Sequence, residues 1–221
     1  IKTQWINYSH GDVKLKGYLA YDDSISGKRP AVLVIHAREG MTENTKKNVE
    51  MFARFGYLAF AADIFGYGQG VLPKDVPEMQ AQTTKYNSDR TLLKARTRAA
   101  YDVLAVHPMA DATRIAQAGY CFGGSTAVEF GSTGVPLAAT IAIHGSFANH
   151  PPGWAKSLKG KMLVLHGAED SGYPLSTTNC ARPRSTSSTK STAAPSTDFR
   201  CPKARQTSAP TCNPAQRQGV T

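Results

Sequence analysis

Nothing in the 221-residue chain approaches the ~18 consecutive apolar residues that a membrane-spanning helix needs, so no membrane partner is expected. The N-terminus, starting at Ile1, has no basic stretch leading into an apolar run and shows no signal peptide. It also lacks an initiator Met. The compartment is left open by the sequence, the cytoplasm slightly favoured over the periplasm, which a processed N-terminus would allow. Cysteine is scarce: of four, Cys180, Cys201 and Cys212 lie near the C-terminus, with no C-x2-C spacing and no accompanying histidine. That pattern serves neither a zinc site nor a disulfide framework, and no metal is expected. Histidine is missing from one region altogether. All six (His10, His36, His107, His144, His150, His166) precede residue 167.

Acids are also few, 16 against 26 Lys and Arg, giving a net charge of +10. The excess is not a patterned face. Seven basic residues (Arg182, Arg184, Lys190, Arg200, Lys203, Arg205, Arg217) lie in 180–221 against Asp198 alone, so over half the net charge sits there. A mildly basic body with an unpatterned basic tail is poor ground for polyanion binding. No nucleic-acid partner is expected, and oligomeric state is not legible.

What the chain does have is regular alternation. Trp5 and Asn7, then Leu15, Gly17 and Leu19, flank a turn at Ser9-His10-Gly11-Asp12 and predict a β-hairpin. Ala31 to Ile35 is a short continuous apolar run, the mark of a strand covered on both faces. Glu43 to Gly56 has helical spacing, with Gly56 as its C-cap. A strand over Tyr57–Ala62 ends at Asp63, and a Gly- and Pro-bearing connection runs from Gly66 to Pro77. Ser88 is the N-cap candidate for a long helix stopping near His107-Pro108. Strands over Arg114–Gly119, Ala138–His144 and Lys161–His166, with a helix over Phe122–Gly131, complete the pattern. Strands alternating with long helices predict an α/β fold with a doubly wound, mostly parallel sheet.

The pattern stops near Asn179. Residues 180–221 carry five prolines, and Phe199 and Val220 are their only large apolar residues. Such a segment buries too little apolar area to offset its conformational entropy. The expected organisation is therefore one domain over 1–179 and an irregular tail over 180–221 in place of the last strand and helix. The tail reads either as naturally disordered or as the product of another reading frame, since the break falls inside a domain pattern.

The chemistry concentrates at Gly119-Tyr120-Cys121-Phe122-Gly123-Gly124, between a predicted strand and a predicted helix. A nucleophile elbow needs that context: a sharp strand-to-helix turn lifts the side chain above the sheet, and small neighbours let the chain turn. The helix start beneath Cys121 supplies partial positive charge suited to an attacking sulfur anion. The Phe122 N–H is one candidate oxyanion donor, and a second is expected near Ala37. Asp170, in the loop after the Lys161–His166 strand, is the candidate acid for orienting an imidazole, with Glu169 the lesser alternative. The bland alternative for Cys121 is a buried, inert thiol.

These stretches resemble the dienelactone hydrolase family, within the α/β-hydrolase superfamily, over roughly residues 10–179. The resemblance rests on Gly17-Tyr18-Leu19, Val32 to His36, Gly56 to Phe60, Gly119 to Gly124 and Leu163 to Asp170. It implies a Cys–His–Asp triad, Cys121 and Asp170 among it, hydrolysing lactones or other small activated esters through a thiol acyl-enzyme, without a cofactor. Two departures stand out. The family commonly has Glu directly after the position of His36, where this chain has Ala37, with Glu39 two residues on as a possible supporting group. Triad order in this fold also puts the base after the acid, and no histidine follows Asp170. His36 is a possible supporting residue, but His36, His144 and His166, all at strand ends, fit structural roles better. The expectation is a hydrolase with its base missing. The alternative is a non-catalytic homologue that binds a small ligand in the same cleft.

Overall fold

The computed structural model describes residues 1–147 and 153–167, together with the backbone of 188–192. Eight strands form one sheet: β1 (Lys2–His10), β2 (Val13–Tyr21), β3 (Arg29–Ile35), β4 (Leu58–Ala62), β5 (Ala110–Tyr120), β6 (Ala139–Ile143), β7 (Lys161–Gly167) and β8 (Ser188–Thr192). Their order is β1-β2-β4-β3-β5-β6-β7-β8. β1 and β2 form an antiparallel hairpin and β2 joins β4 antiparallel, while every later pair is parallel. This is the doubly wound, mostly parallel sheet that the alternation predicts.

Period-two alternation assigns the two faces. Leu33 and Ile35 of β3, with Leu58 and Phe60 of β4, point to one core cluster, while Val32, Val34, Ala59 and Ala61 point to the other. The first face packs under α3 (Arg90–Ala105) and α4 (Phe122–Gly131), and the second under α1 (Glu43–Arg54). The β3 and β4 side chains facing α1 named here are small, whereas Leu33, Ile35, Leu58 and Phe60 on the α3 side are large and fully buried, each stabilising the fold by about 1.5–3 kcal/mol. Gly17 has a packing reason: a Cβ there would lie 2.2 Å from the Phe60 ring.

Three elements differ from expectation. α2 (Val76–Ser88) occupies the end of the stretch read as a connection and continues beyond it. Its apolar periodicity is weak and Tyr86 is its single buried residue, so its signal is the cap. Asp75 accepts from the Glu78 N–H, Glu78 accepts from Lys74, and Pro77 stands in the first turn. Ser88 is consequently the last residue of α2, and Asp89 caps α3 by accepting from the Leu92 N–H at 2.8 Å.

The third difference lies in the tail. Ser188–Thr192 pairs in parallel with β7 from Leu163↔Ser188 to Gly167↔Thr192. A short strand thus stands within the tail. Ladder bonds are backbone bonds, so an apolar side chain is not required. A proline-free segment with two threonines meets the demand of an open edge. The rest of the tail, and with it the expected disorder, lies outside the described residues.

One buried carboxylate ties the hairpin to the end of β4. Asp63, fully buried, accepts at Oδ1 from Gly66 (2.8 Å) and Tyr67 (2.7 Å) and at Oδ2 from Lys16 and Gly68 (both 2.9 Å). Its own N–H donates to the Tyr8 hydroxyl at 2.9 Å. Burial, and next the charge of Asp63, push the Tyr8 hydroxyl pKa upward, so that hydroxyl stays neutral. Asp63→Asn would turn an NH2 toward N–H donors that it cannot satisfy. Its unfolding free energy in urea should fall by about 2–4 kcal/mol, and a loss under about 0.5 kcal/mol would show that the clamp is dispensable.

Candidate active site

Cys121 stands between β5 and α4 with φ 54° and ψ −114°, a half-buried free thiol. A non-glycine residue with positive φ costs energy that its surroundings must supply. Here they are backbone. The Cys121 N–H donates to the Ile143 carbonyl of β6 at 2.8 Å, and its carbonyl accepts from Gly124 at 2.9 Å. The flanking glycines permit the turn by closeness. A Cβ on Gly119 would lie 1.9 Å from the Gly123 oxygen, one on Gly123 2.3 Å from the Ile35 oxygen, and one on Gly124 2.9 Å from the Gly145 Cα. The first turn of α4 is thereby seated against the ends of β3 and β6.

The same seating brings the end of β3 against the first turn of α4. Gly123 contacts the His36 carbonyl, a Cβ there lying 2.6 Å from it. Among the described residues neither the Ala37 nor the Phe122 N–H makes a backbone bond outside the regular elements. The loop after β3 is held by Gly40 donating to the Ala37 carbonyl (3.0 Å) and by the Thr45 hydroxyl donating to the Gly40 carbonyl (2.8 Å). Glu39 pairs with Arg38 at 3.4 Å, with both side chains about half exposed. It also lines a small recess with Thr42, Asn48 and Tyr120, beside the elbow.

His36 is buried between both parts. Its Nδ1 lies 2.8 Å from the Ala37 carbonyl, its Nε2 3.3 Å from the Ile64 N–H, and its ring stacks on Phe122 and meets Phe65 edge-on. A carbonyl only accepts and an amide only donates, so the ring carries its proton on Nδ1 and is neutral. Burial lowers its pKa, against the raising effects of the Ala37 carbonyl, Asp63 and Glu39. Both nitrogens are engaged away from a proton-transfer role.

His144 ends β6, exposed, with φ 55°, its N–H donating to the Leu165 carbonyl, and its ring stacks on buried His166 at 5.8 Å. The pair stands on the edge that carries Cys121. His107 accepts from the Met109 N–H, and burial lowers its pKa. Asp170 and Glu169, like His150, lie outside the described residues. Among the described residues no group of three or more His, Cys, Asp or Glu could hold a metal, and no helix is long and apolar enough to cross a membrane. Sequence reasoning missed the Asp63 clamp, whose signal was an Asp placed before Gly66-Tyr67-Gly68.

The model of the dienelactone hydrolase family matches residues 15–190. The chain belongs to the dienelactone hydrolase family. A Yersinia pestis protein carrying the name carboxymethylenebutenolidase is 27% identical over 175 residues, which are 75% of this chain and 64% of that protein. The chain therefore spans just under two thirds of that relative. A solved dienelactone hydrolase-like promiscuous phosphotriesterase from metagenomic libraries matches with a TM-score of 0.80 and 28% identity, covering 87% of this chain and 81% of that one. The solved m3DLH chain matches with a TM-score of 0.80 and 31% identity, over 86% and 81%. This member of the dienelactone hydrolase family shares the α/β-hydrolase sheet.

Two substitutions probe the elbow. Gly123→Ala should cost more than about 3 kcal/mol, because the added carbon meets rigid backbone; a soluble variant with an unchanged thermal midpoint would contradict the close approach. Cys121→Gly should raise the unfolding free energy by about 1 kcal/mol, relief of backbone strain exceeding the entropic cost of glycine. A decrease would mean that the turn is unstrained. The lowered His36 pKa has a pH consequence. The unfolded chain takes up this proton first, so the stabilisation is whole above the ordinary imidazole value of about 6.5 and fades as pH falls below it, by at most about 1.4 kcal/mol per unit. Between pH 7 and 5 the wild type should lose more stability than His36→Asn; parallel curves would refute the neutral buried ring.

Proposed function

We propose that the chain cleaves small activated carboxylic esters or lactones with Cys121 as nucleophile. The strained strand–turn–helix at Cys121 is the observation that carries this reading, and the Phe122 and Ala37 amides are the oxyanion donors proposed with it. In the acylation step the sulfur attacks the carbonyl carbon, and the carbonyl oxygen gains negative charge near the two N–H groups. The C–O bond to the alkoxide or phenolate then breaks and a thioester remains. Water must next attack that thioester to release the acid and restore the thiol, a step that calls for a general base. Asp170 is the group proposed to orient such a base, and the chain holds no histidine after it. With a phenolate leaving group acylation needs only the thiolate, formed by loss of the thiol proton to solvent, because the phenolate departs without a proton.

The expected outcome with p-nitrophenyl acetate is a burst of about one p-nitrophenolate per protein followed by slow or no turnover. Cys121→Ala should abolish the burst, and iodoacetamide should label Cys121 quickly near neutral pH. Neither burst nor labelling would overturn the enzymatic reading in favour of a non-catalytic, ligand-binding member of the family.

A further inference from the structure

We propose that His36 is the positioning residue of the oxyanion hole, its neutral ring bridging the Ala37 carbonyl and the Ile64 N–H so that the Ala37 amide is aimed beside that of Phe122. The inference rests on the Cys121 reading and deepens it. An amide at a loop turn is a useful catalytic donor only if it is fixed before charge develops, since reorganising it during reaction costs part of what it contributes. Ala37 lies past the last ladder pair of β3, Ile35↔Gly119, so the sheet alone does not fix it. Beside the bond that Gly40 donates to the Ala37 carbonyl, His36 adds restraint at three points. Nδ1–H donates to the Ala37 carbonyl and sets the rotation between the two peptide planes of that residue. Nε2 accepts from Ile64, just past β4, and anchors the ring to a neighbouring strand end. The ring face rests on Phe122, which bears the other donor. One side chain thus indexes both amides to each other. Only the neutral Nδ1–H form does this, because a second proton on Nε2 would face the Ile64 N–H.

Two variants of the full chain separate this role from simple packing. His36→Phe keeps an aromatic ring between Phe65 and Phe122 but makes neither hydrogen bond. His36→Asn places an amide NH2 close to the position of Nδ1 and restores the bond to Ala37. Two rates are read: single-turnover acylation by p-nitrophenyl acetate, which builds an oxyanion, and iodoacetamide alkylation of Cys121, a displacement at a saturated carbon that builds none. His36→Phe should lower the limiting acylation rate by roughly 10- to 100-fold, with little change in the half-saturating ester concentration. Its alkylation rate should stay within about twofold of wild type. His36→Asn should recover acylation to within about fivefold. Equal losses in both rates would assign His36 a merely structural role and overturn the inference, as would acylation unchanged in His36→Phe. A wild type that neither acylates nor alkylates would overturn the nucleophile reading and this inference with it. Wild-type acylation that His36→Phe leaves intact would overturn this inference alone.

Discussion

Backbone-to-backbone contact beneath Cys121 is the constraint on which the rest of the site depends. Where β5 turns into α4, main-chain atoms of four segments meet with no side chain between them: Gly119 against Gly123, Gly123 against Ile35 and His36, Gly124 against Ile143 and Gly145. A single methyl group at any of these glycines would push α4 off the sheet. Because it is absent, the turn is tight enough to hold Cys121 at a positive φ, and the end of β3 lies directly against it. Strain and proximity have one cause.

At the edge of the sheet that carries the site, two buried polar groups, Asp63 and His36, are satisfied in a way that adds rigidity. Asp63 gathers four amides from the loop that follows it and from the hairpin. His36 spans β3 and β4 ends with one donor and one acceptor. Buried polar groups of this kind cost stability when left unmatched, so their partners are fixed with them. The ends of the parallel strands, which would otherwise fray into loops, are thereby held as a firm platform.

Much of the fold was legible because its signals are local. The apolar runs at Ala31–Ile35 and Leu58–Ala62 are covered on both faces, as a continuous run implies, and the glycine pattern around Cys121 marks a turn whatever its neighbours are. α2 was not legible from periodicity, since only Tyr86 is buried; its Asp75–Glu78 cap was the available clue. Ser88 misled because it is an adequate cap beside a better one, Asp89. β8 could not be read from composition, because an open strand edge recruits backbone without regard to side-chain hydropathy.

The sequence by itself determined the alternation of strands and helices, the place of Cys121 at a strand-to-helix turn, and the lack of any histidine beyond Asp170. Each is a matter of order along the chain or of short-range pattern. Only the tertiary structure decided that Gly123 lies against the ends of Ile35 and His36, that His36 is neutral with its proton on Nδ1, and that β7 has a neighbour. Those outcomes depend on atoms brought together from distant positions, where packing distance and the count of donors and acceptors leave one arrangement.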